Sequence, residues 1–112
     1  MVVNGIISKN ITGNTKENFG QSHNPKTIFT YSGSIVNNGS NTVTVKLFIQ
    51  TLSMGETETS FLIPANQIVR FRNLKFNAIQ VMTSNPNIYL IAIQFLKPID
   101  EGLKEEPEIF YQ

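Results

Sequence analysis

The sequence predicts an all-β protein: a single antiparallel β-sandwich, jelly-roll-like, of about seven to eight strands with a C-terminal extension. Three observations predict it. Short runs rich in Ile, Val, Thr and Phe are separated by Asn, Gly, Ser and Pro turns at intervals of roughly 8–12 residues. Helix formers are thin: Ala occurs only at Ala65, Ala78 and Ala92, whereas Asn occurs 13 times. No strand–helix–strand rhythm appears, which argues against a parallel sheet. A small closed barrel is the alternative architecture. At 112 residues the chain has room for one core and should expose roughly 6,000 Å² when folded. Residues 1–98 are expected to form the sandwich and residues 99–112 an acidic arm with an apolar end.

The opening residues 2–8 read as a short strand, with Gly5 marking a bulge or an edge. Residues 9–26 are rich in Asn, Gly, Ser and Thr and read as a long contact loop, with Ile11 and Phe19 as its apolar anchors. A strand follows over 27–37, bent near Gly33. The stretch 37–41, NNGSN, carries the Asn-Gly signal of a hairpin. Residues 42–52 are the clearest strand: Val43, Val45, Leu47 and Ile49 should face the core, with Thr44, Lys46, Phe48 and Gln50 opposite.

After a turn at Met54-Gly55-Glu56, residues 58–63 form a strand that ends at Pro64. Pro64-Ala65-Asn66 is a tight connection. Over 68–72, Val69 and Phe71 should point inward and Arg70 and Arg72 outward; Asn73-Leu74-Lys75 breaks this run. Residues 77–83 form a further strand with Ile79 and Val81 inward, and Ser84-Asn85-Pro86-Asn87 a compact turn. The run 88–96 is apolar on both faces. Tyr89, Ile91, Ile93 and Phe95 make one face; Ile88, Leu90, Ala92 and Leu96 make the other, with Gln94 the exception. A strand apolar on both sides needs two covers, the core and something else.

Composition excludes several chemistries. The chain has no Cys and one His, so thiolate catalysis, Cys-based zinc sites and a multi-His metal centre within one chain are ruled out. No apolar run reaches membrane-spanning length, and the first ten residues lack a signal-peptide layout. Manufacture in the cytoplasm and no membrane partner are expected. No phosphate-cradling glycine loop is present. His23 lies in a polar loop. Glu56 and Glu58 share a strand face near a turn, and a carboxylate pair can do acid–base work, but no third polar partner accompanies them. The sequence therefore predicts no enzyme and no cofactor, with a hydrolase using Glu56 and Glu58 as a minor alternative.

The formal charge of +1 makes nucleic acid an unexpected partner. Its distribution says more. Residues 1–99 carry eight bases against Glu17, Glu56 and Glu58, whereas 100–112 carry five acids and Lys104. The tail ends in Ile109, Phe110 and Tyr111, an unusual finish for a purely solvating segment. Either it folds back over its own sheet or it reaches to a neighbour. The second placement is expected, because it would also cover the 88–96 strand. Tyr89, Ile91, Ile93, Phe95, Ile109, Phe110 and Tyr111 are thus the candidate partner interface. Arg70, Arg72 and Lys75 form the best basic cluster, read as an ion-pair partner for an acidic tail or as a ligand patch beside Phe48, Tyr31 or Tyr89.

Across 61–94, FLIPANQIVRFRNLKFNAIQVMTSNPNIYLIAIQ, the order of elements resembles small β-sandwich modules in virion proteins of tailed phages, of the head-decoration, head-fibre and tail-associated kinds. Where those modules commonly carry Pro-Ala-Gly, this chain has Asn66, which tolerates positive φ. The resemblance covers about a third of the chain and transfers no catalytic residue. It implies a virion component that self-associates into a homo-oligomer and docks on a larger assembly such as a capsid or tail. The second reading is a binding module for glycan or single-stranded nucleic acid, resting on Arg70, Arg72 and Lys75.

Overall fold

The computed structural model describes every residue except Met1, Gln21, Ser22, Ser53, Met54, Asn85 and Gln112, and all described side chains except those of residues 2–4. Met54 and Asn85, assigned above to turns, therefore lie outside the described residues. Among the described residues nine strands and one short helix follow in order: β1 (Val2–Ile11), β2 (Glu17–Asn18), β3 (Thr27–Asn37), β4 (Val43–Thr51), β5 (Gly55–Ile63), β6 (Ile68–Lys75), β7 (Ala78–Val81), β8 (Ile88–Pro98), α1 (Ile99–Lys104) and β9 (Glu108–Tyr111).

They form two sheets, β1-β8-β3-β6-β9 and β2-β7-β4-β5. Each of the first eight strands pairs antiparallel with its mirror in sequence: β1 with β8, β2 with β7, β3 with β6 and β4 with β5. That is a long hairpin folded over on itself, the connectivity of a jelly roll. The two sheets settle the choice between sandwich and barrel. The accessible surface, 6120 Å², matches the area expected for this length.

The core lies between the sheets. From the five-stranded sheet it takes Ile11, Tyr31, Ile35, Val69, Phe71, Leu74, Ile88, Leu90 and Ala92; from the other, Val43, Val45, Leu47, Ile63, Ile79 and Val81. Alternation along β6 and β7 is as the sequence predicts, with Val69, Phe71, Ile79 and Val81 buried and both arginines exposed. Tyr31 stacks on Phe76 with ring centroids 4.2 Å apart, and Phe19 and Phe71 meet Phe76 at 6.1 Å each. Gln94, the polar exception on the inward face of β8, donates to the Tyr31 hydroxyl at 2.5 Å.

Four expectations are corrected. Residues 9–26 are not one loop. β1 runs on to Ile11, Gly13 bridges to Val81, and β2 pairs with β7, so both expected anchors, Ile11 and Phe19, pack on the core. The 37–41 turn is not a hairpin, because β3 and β4 belong to different sheets. Neither Asn38 nor Gly39 takes the positive φ that a two-residue hairpin turn requires. Asn73-Leu74-Lys75 does not end its strand; β6 continues to Lys75, with Asn73 at φ 56° beside a register shift opposite Tyr31 and Gly33. Finally, Phe48 is buried, against the expectation that it faces solvent.

The bulge at Gly5 is present as a register shift between Val3 and Gly5. Asn66 sits at φ 58°, a left-handed conformation that asparagine tolerates. Asn37 ties two inter-sheet connections together. Its buried amide donates to the carbonyls of Asn41, Ile63 and Pro64 and accepts from the Gly39 N–H.

Candidate association surface

The C-terminal extension decides which part of the five-stranded sheet stays open. After Pro98, α1 lies across one end of that sheet's outer face. Gly102 permits the approach: a Cβ there would overlap the Ile28 side chain. Ile28, Thr30 and Lys97 are buried as a result, although their register places them on the outer face. Lys97, only 3% exposed, pairs with the Glu105 carboxylate. The Lys75 ammonium donates to the Glu105 carbonyl at 2.7 Å. Burial holds Lys75 below the usual lysine range; the Glu105 charge opposes that shift and the Lys97 charge adds to it.

The chain then turns at Pro107, and β9 pairs with β6 of the same molecule. This is the fold-back placement of the two considered, and the expected cover over β8 does not arise from it, since β3 and β6 separate the two strands. Ile109, Phe110 and Tyr111 are held through the backbone ladder and remain exposed. Arg72 lies 3.9 Å from Glu108, so the acidic tail docks on its own basic strand.

The rest of the outer face follows from the registers. One row runs Ser8, Ile91, Ser34, Arg70, Phe110; the next begins Ile6, Ile93, Ser32; a third runs Asn10, Tyr89, Val36, Ile68. The face carries an apolar cluster at Ile6, Ile91 and Ile93, flanked by Ser8 and Asn10 on β1, and is basic toward β6. Ile6 is 71% exposed, Ile91 45% and Ile93 40%. Tyr89 and Phe95 are half-buried, and Tyr89 is hydrogen-bonded to Ser8. Ile6 is the residue that sequence reasoning missed. The signal was the pair Ile6-Ile7 just after the bulge, which puts an isoleucine on each face of β1.

This apolar band runs to an open sheet edge. Among the described residues no strand pairs with the outer side of β1, and its one charged residue, Lys9, turns to Glu17 at 2.7 Å. The other edges are shorter or charged. β2 has two residues and β9 has four. β5 carries Glu56 and Glu58, paired with Lys16 and Lys46. Charges of this kind block strand addition, and β1 lacks them on its exposed face.

Of the aromatics named for the ligand patch around Arg70, Arg72 and Lys75, only Tyr89 shares its face, and β3 separates it from β6. Tyr31 is in the core. Phe48 lies on the other sheet, with the Lys16 ammonium 4.2 Å from its ring. Lys75 is half-buried and engaged by Glu105. The aromatic that does face Arg70 across the ladder is Phe110. His23 is exposed. No group of three or more His, Asp or Glu side chains with metal-holding geometry occurs among the described residues, and no helix of the described residues is long and apolar enough to cross a membrane.

No family model matches the chain, and comparison with curated proteins and with solved structures finds no match to either.

Proposed function

We propose that the protein is a non-enzymatic structural component that acts by self-association and by docking on a larger assembly, in the manner of the small sandwich modules of tailed-phage virions that residues 61–94 resemble. The observation that carries this reading is the apolar band of Ile6, Ile91 and Ile93 beside the open edge of β1. A jelly roll serves capsid proteins and lectins alike, so the argument rests on this surface and not on the fold.

Magnitudes indicate the kind of association. Burying the exposed parts of the three isoleucines is worth roughly 3 kcal/mol per copy. Two copies meeting face to face gain about twice that, against an association cost of about 4–15 kcal/mol. A lone pair is therefore weak: even at the lowest cost the net gain is about 2 kcal/mol, a Kd of roughly 30 mM or weaker. Many weak contacts acting together on a particle become strong through effective concentration. Such a surface suits a component that is soluble alone and ordered in an array.

The test is the concentration dependence of backbone amide NMR shifts on β1 and β8 from ~0.1 mM to ~3 mM, a readout sensitive to the small associated fraction that so weak a pair gives. The expected result is concentration-dependent association that disappears in Ile91→Asp and Ile6→Asp, both at exposed positions. A monomer throughout, unchanged by either substitution, would remove the self-association reading. For the virion role, the protein is expected in purified particles of the source phage at a fixed ratio to the major capsid subunit by quantitative mass spectrometry. Its absence from those particles would reject that role.

A further inference from the structure

We infer that the edge of β6 is a strand-receiving site, and that the β9 segment of a second copy occupies it by exchange with the resident one. This inference does not depend on the apolar face of β1 and β8.

Three observations carry it. First, β9 is a four-residue strand whose side chains are all exposed, so its seat is mainly the backbone ladder to β6. Such a short, peripheral element opens at low cost compared with the core strands. Second, the seat is selective. Glu108 meets Arg72 across the ladder, Phe110 opposes Arg70 on the outer face, and Ile109 faces inward opposite Phe71. Beneath Ile109 and Pro107 lies an apolar cleft of about 160 Å³, walled by Leu47, Ile49 and Leu74. When β9 leaves, this cleft and the backbone groups of β6 are uncovered together. An extended segment with an acid, an inward apolar residue and an outward aromatic refills them, and a second copy carries that segment by definition. Third, the tether is short. α1 is clamped to the sheet through Glu105 with Lys97 and Lys75, which leaves Glu106 and Pro107 as the hinge. Brief, proline-containing hinges favour exchange between identical chains, since cis and trans pairings make the same contacts. Strand addition at a sheet edge supplies the hydrogen bonds, and the cleft supplies the specificity.

The absence of native cysteine makes a direct test clean. Arg70 and Phe110 are cross-strand partners at exposed positions. Facing cross-strand positions have Cβ separations compatible with a disulfide. Full-length Arg70→Cys and full-length Phe110→Cys are mixed under mild oxidation, and covalent heterodimer is read on a non-reducing gel. The control replaces Phe110→Cys with Ile109→Cys, whose side chain lies on the opposite face. Exchange is expected to give roughly tenfold more heterodimer than the control, the margin set by disulfide geometry. The double variant Arg70→Cys/Phe110→Cys, oxidised when dilute, should form an intrachain bond and so report that the seat folds as described.

A second measurement is independent of thiols. Arg72→Glu and Glu108→Arg chains each carry a like-charge clash in cis, and reciprocal exchange between them restores both pairs. Native mass spectrometry of the mixture should show heterodimer enriched several-fold over either homodimer. Heterodimer at the control level in the first experiment, with no enrichment in the second, overturns the inference. Ile91→Asp should leave both results unchanged, which separates this inference from the association surface proposed above.

Discussion

The most exacting perturbation is the removal of one charge, Glu105→Gln. The Glu105 carboxylate is the partner of Lys97, whose side chain is 3% exposed, whereas that of Glu105 is 34% exposed. Breaking a buried ion pair from one side leaves an ammonium without its counter-charge and costs about 3–5 kcal/mol when both groups are dry. A third of Glu105 is in water, so a value near the lower end is expected, roughly 3 kcal/mol. For a domain of this size that corresponds to a drop in Tm of roughly 12 °C.

Lys97→Met makes the opposite test. It keeps the buried stem and removes the charge, and should cost less than about 1 kcal/mol. The double variant should resemble Lys97→Met, so the cycle yields a coupling of roughly 2–3 kcal/mol. Urea unfolding followed by far-UV circular dichroism is the assay; the chain has no Trp, so tyrosine fluorescence is the second probe. If Glu105→Gln costs less than Lys97→Met, the clamp is held by packing, and the argument that charge pins α1 to the sheet fails.

Three further outcomes can be measured. Burial pushes the Tyr31 hydroxyl up from 10.0 to about 12, against the lowering effect of the Gln94 hydrogen bond. The folded state therefore binds this proton more tightly than the unfolded state. The associated stability is complete below pH 10 and is lost as pH rises to 12, by at most about 2.7 kcal/mol. Wild type minus Tyr31→Phe in urea stability should fall by that order across this window, and a flat difference would refute the linkage. Asn37→Ala removes four hydrogen bonds from a buried position and should cost roughly 3 kcal/mol, whereas exposed Asn38→Ala should stay within about 0.5 kcal/mol. A Cβ on Gly33 would stand 2.6 Å from the Ala92 Cα, in the backbone of β8, so Gly33→Ala should destabilise by about 1–3 kcal/mol. Gly5→Ala meets no atom of the described residues within 4 Å and should be neutral in thermal unfolding.

What the sequence revealed depended on whether the cause was local. Alternation placed the inward residues of β6 and β7 because a strand's two faces are set by neighbours two residues away. Asn66 was legible because few side chains accept positive φ. Pairing was not legible in the same way. The partner of β1 is β8, with Ile6 opposite Ile93, and no pattern within either segment names the other. The Asn-Gly signal at 38–39 misled for this reason: it reports what a turn can do locally, while the crossing to the other sheet is imposed by distant strands. Phe48 misled similarly. Its position on β4 is polar-side by alternation, but Lys16 and Ala78 come to it from elsewhere in the chain. The six-residue α1 was invisible because it is too short to show a helical period.

The candidate surface was legible in part, for one physical reason. Two-sided apolarity in 88–96 is a statement about area, and area needs no knowledge of pairing. The core takes Ile88, Leu90 and Ala92, so Ile91 and Ile93 must find another cover or remain wet. The extension folds back on its own sheet but not over these residues: α1 covers the Ile28 and Thr30 end, and β9 lengthens the sheet at the β6 side. Both steps use the acidic tail to neutralise basic residues on β6 and β8, and both leave the isoleucines open. A chain that invests fourteen residues in closing one side of a sheet while leaving the other side apolar and its edge uncharged is built asymmetrically. Selection for solubility alone would place a charge at Ile6 or Ile91, where the fold tolerates one at almost no cost. Isoleucine at both positions is what the association proposed for that side would use.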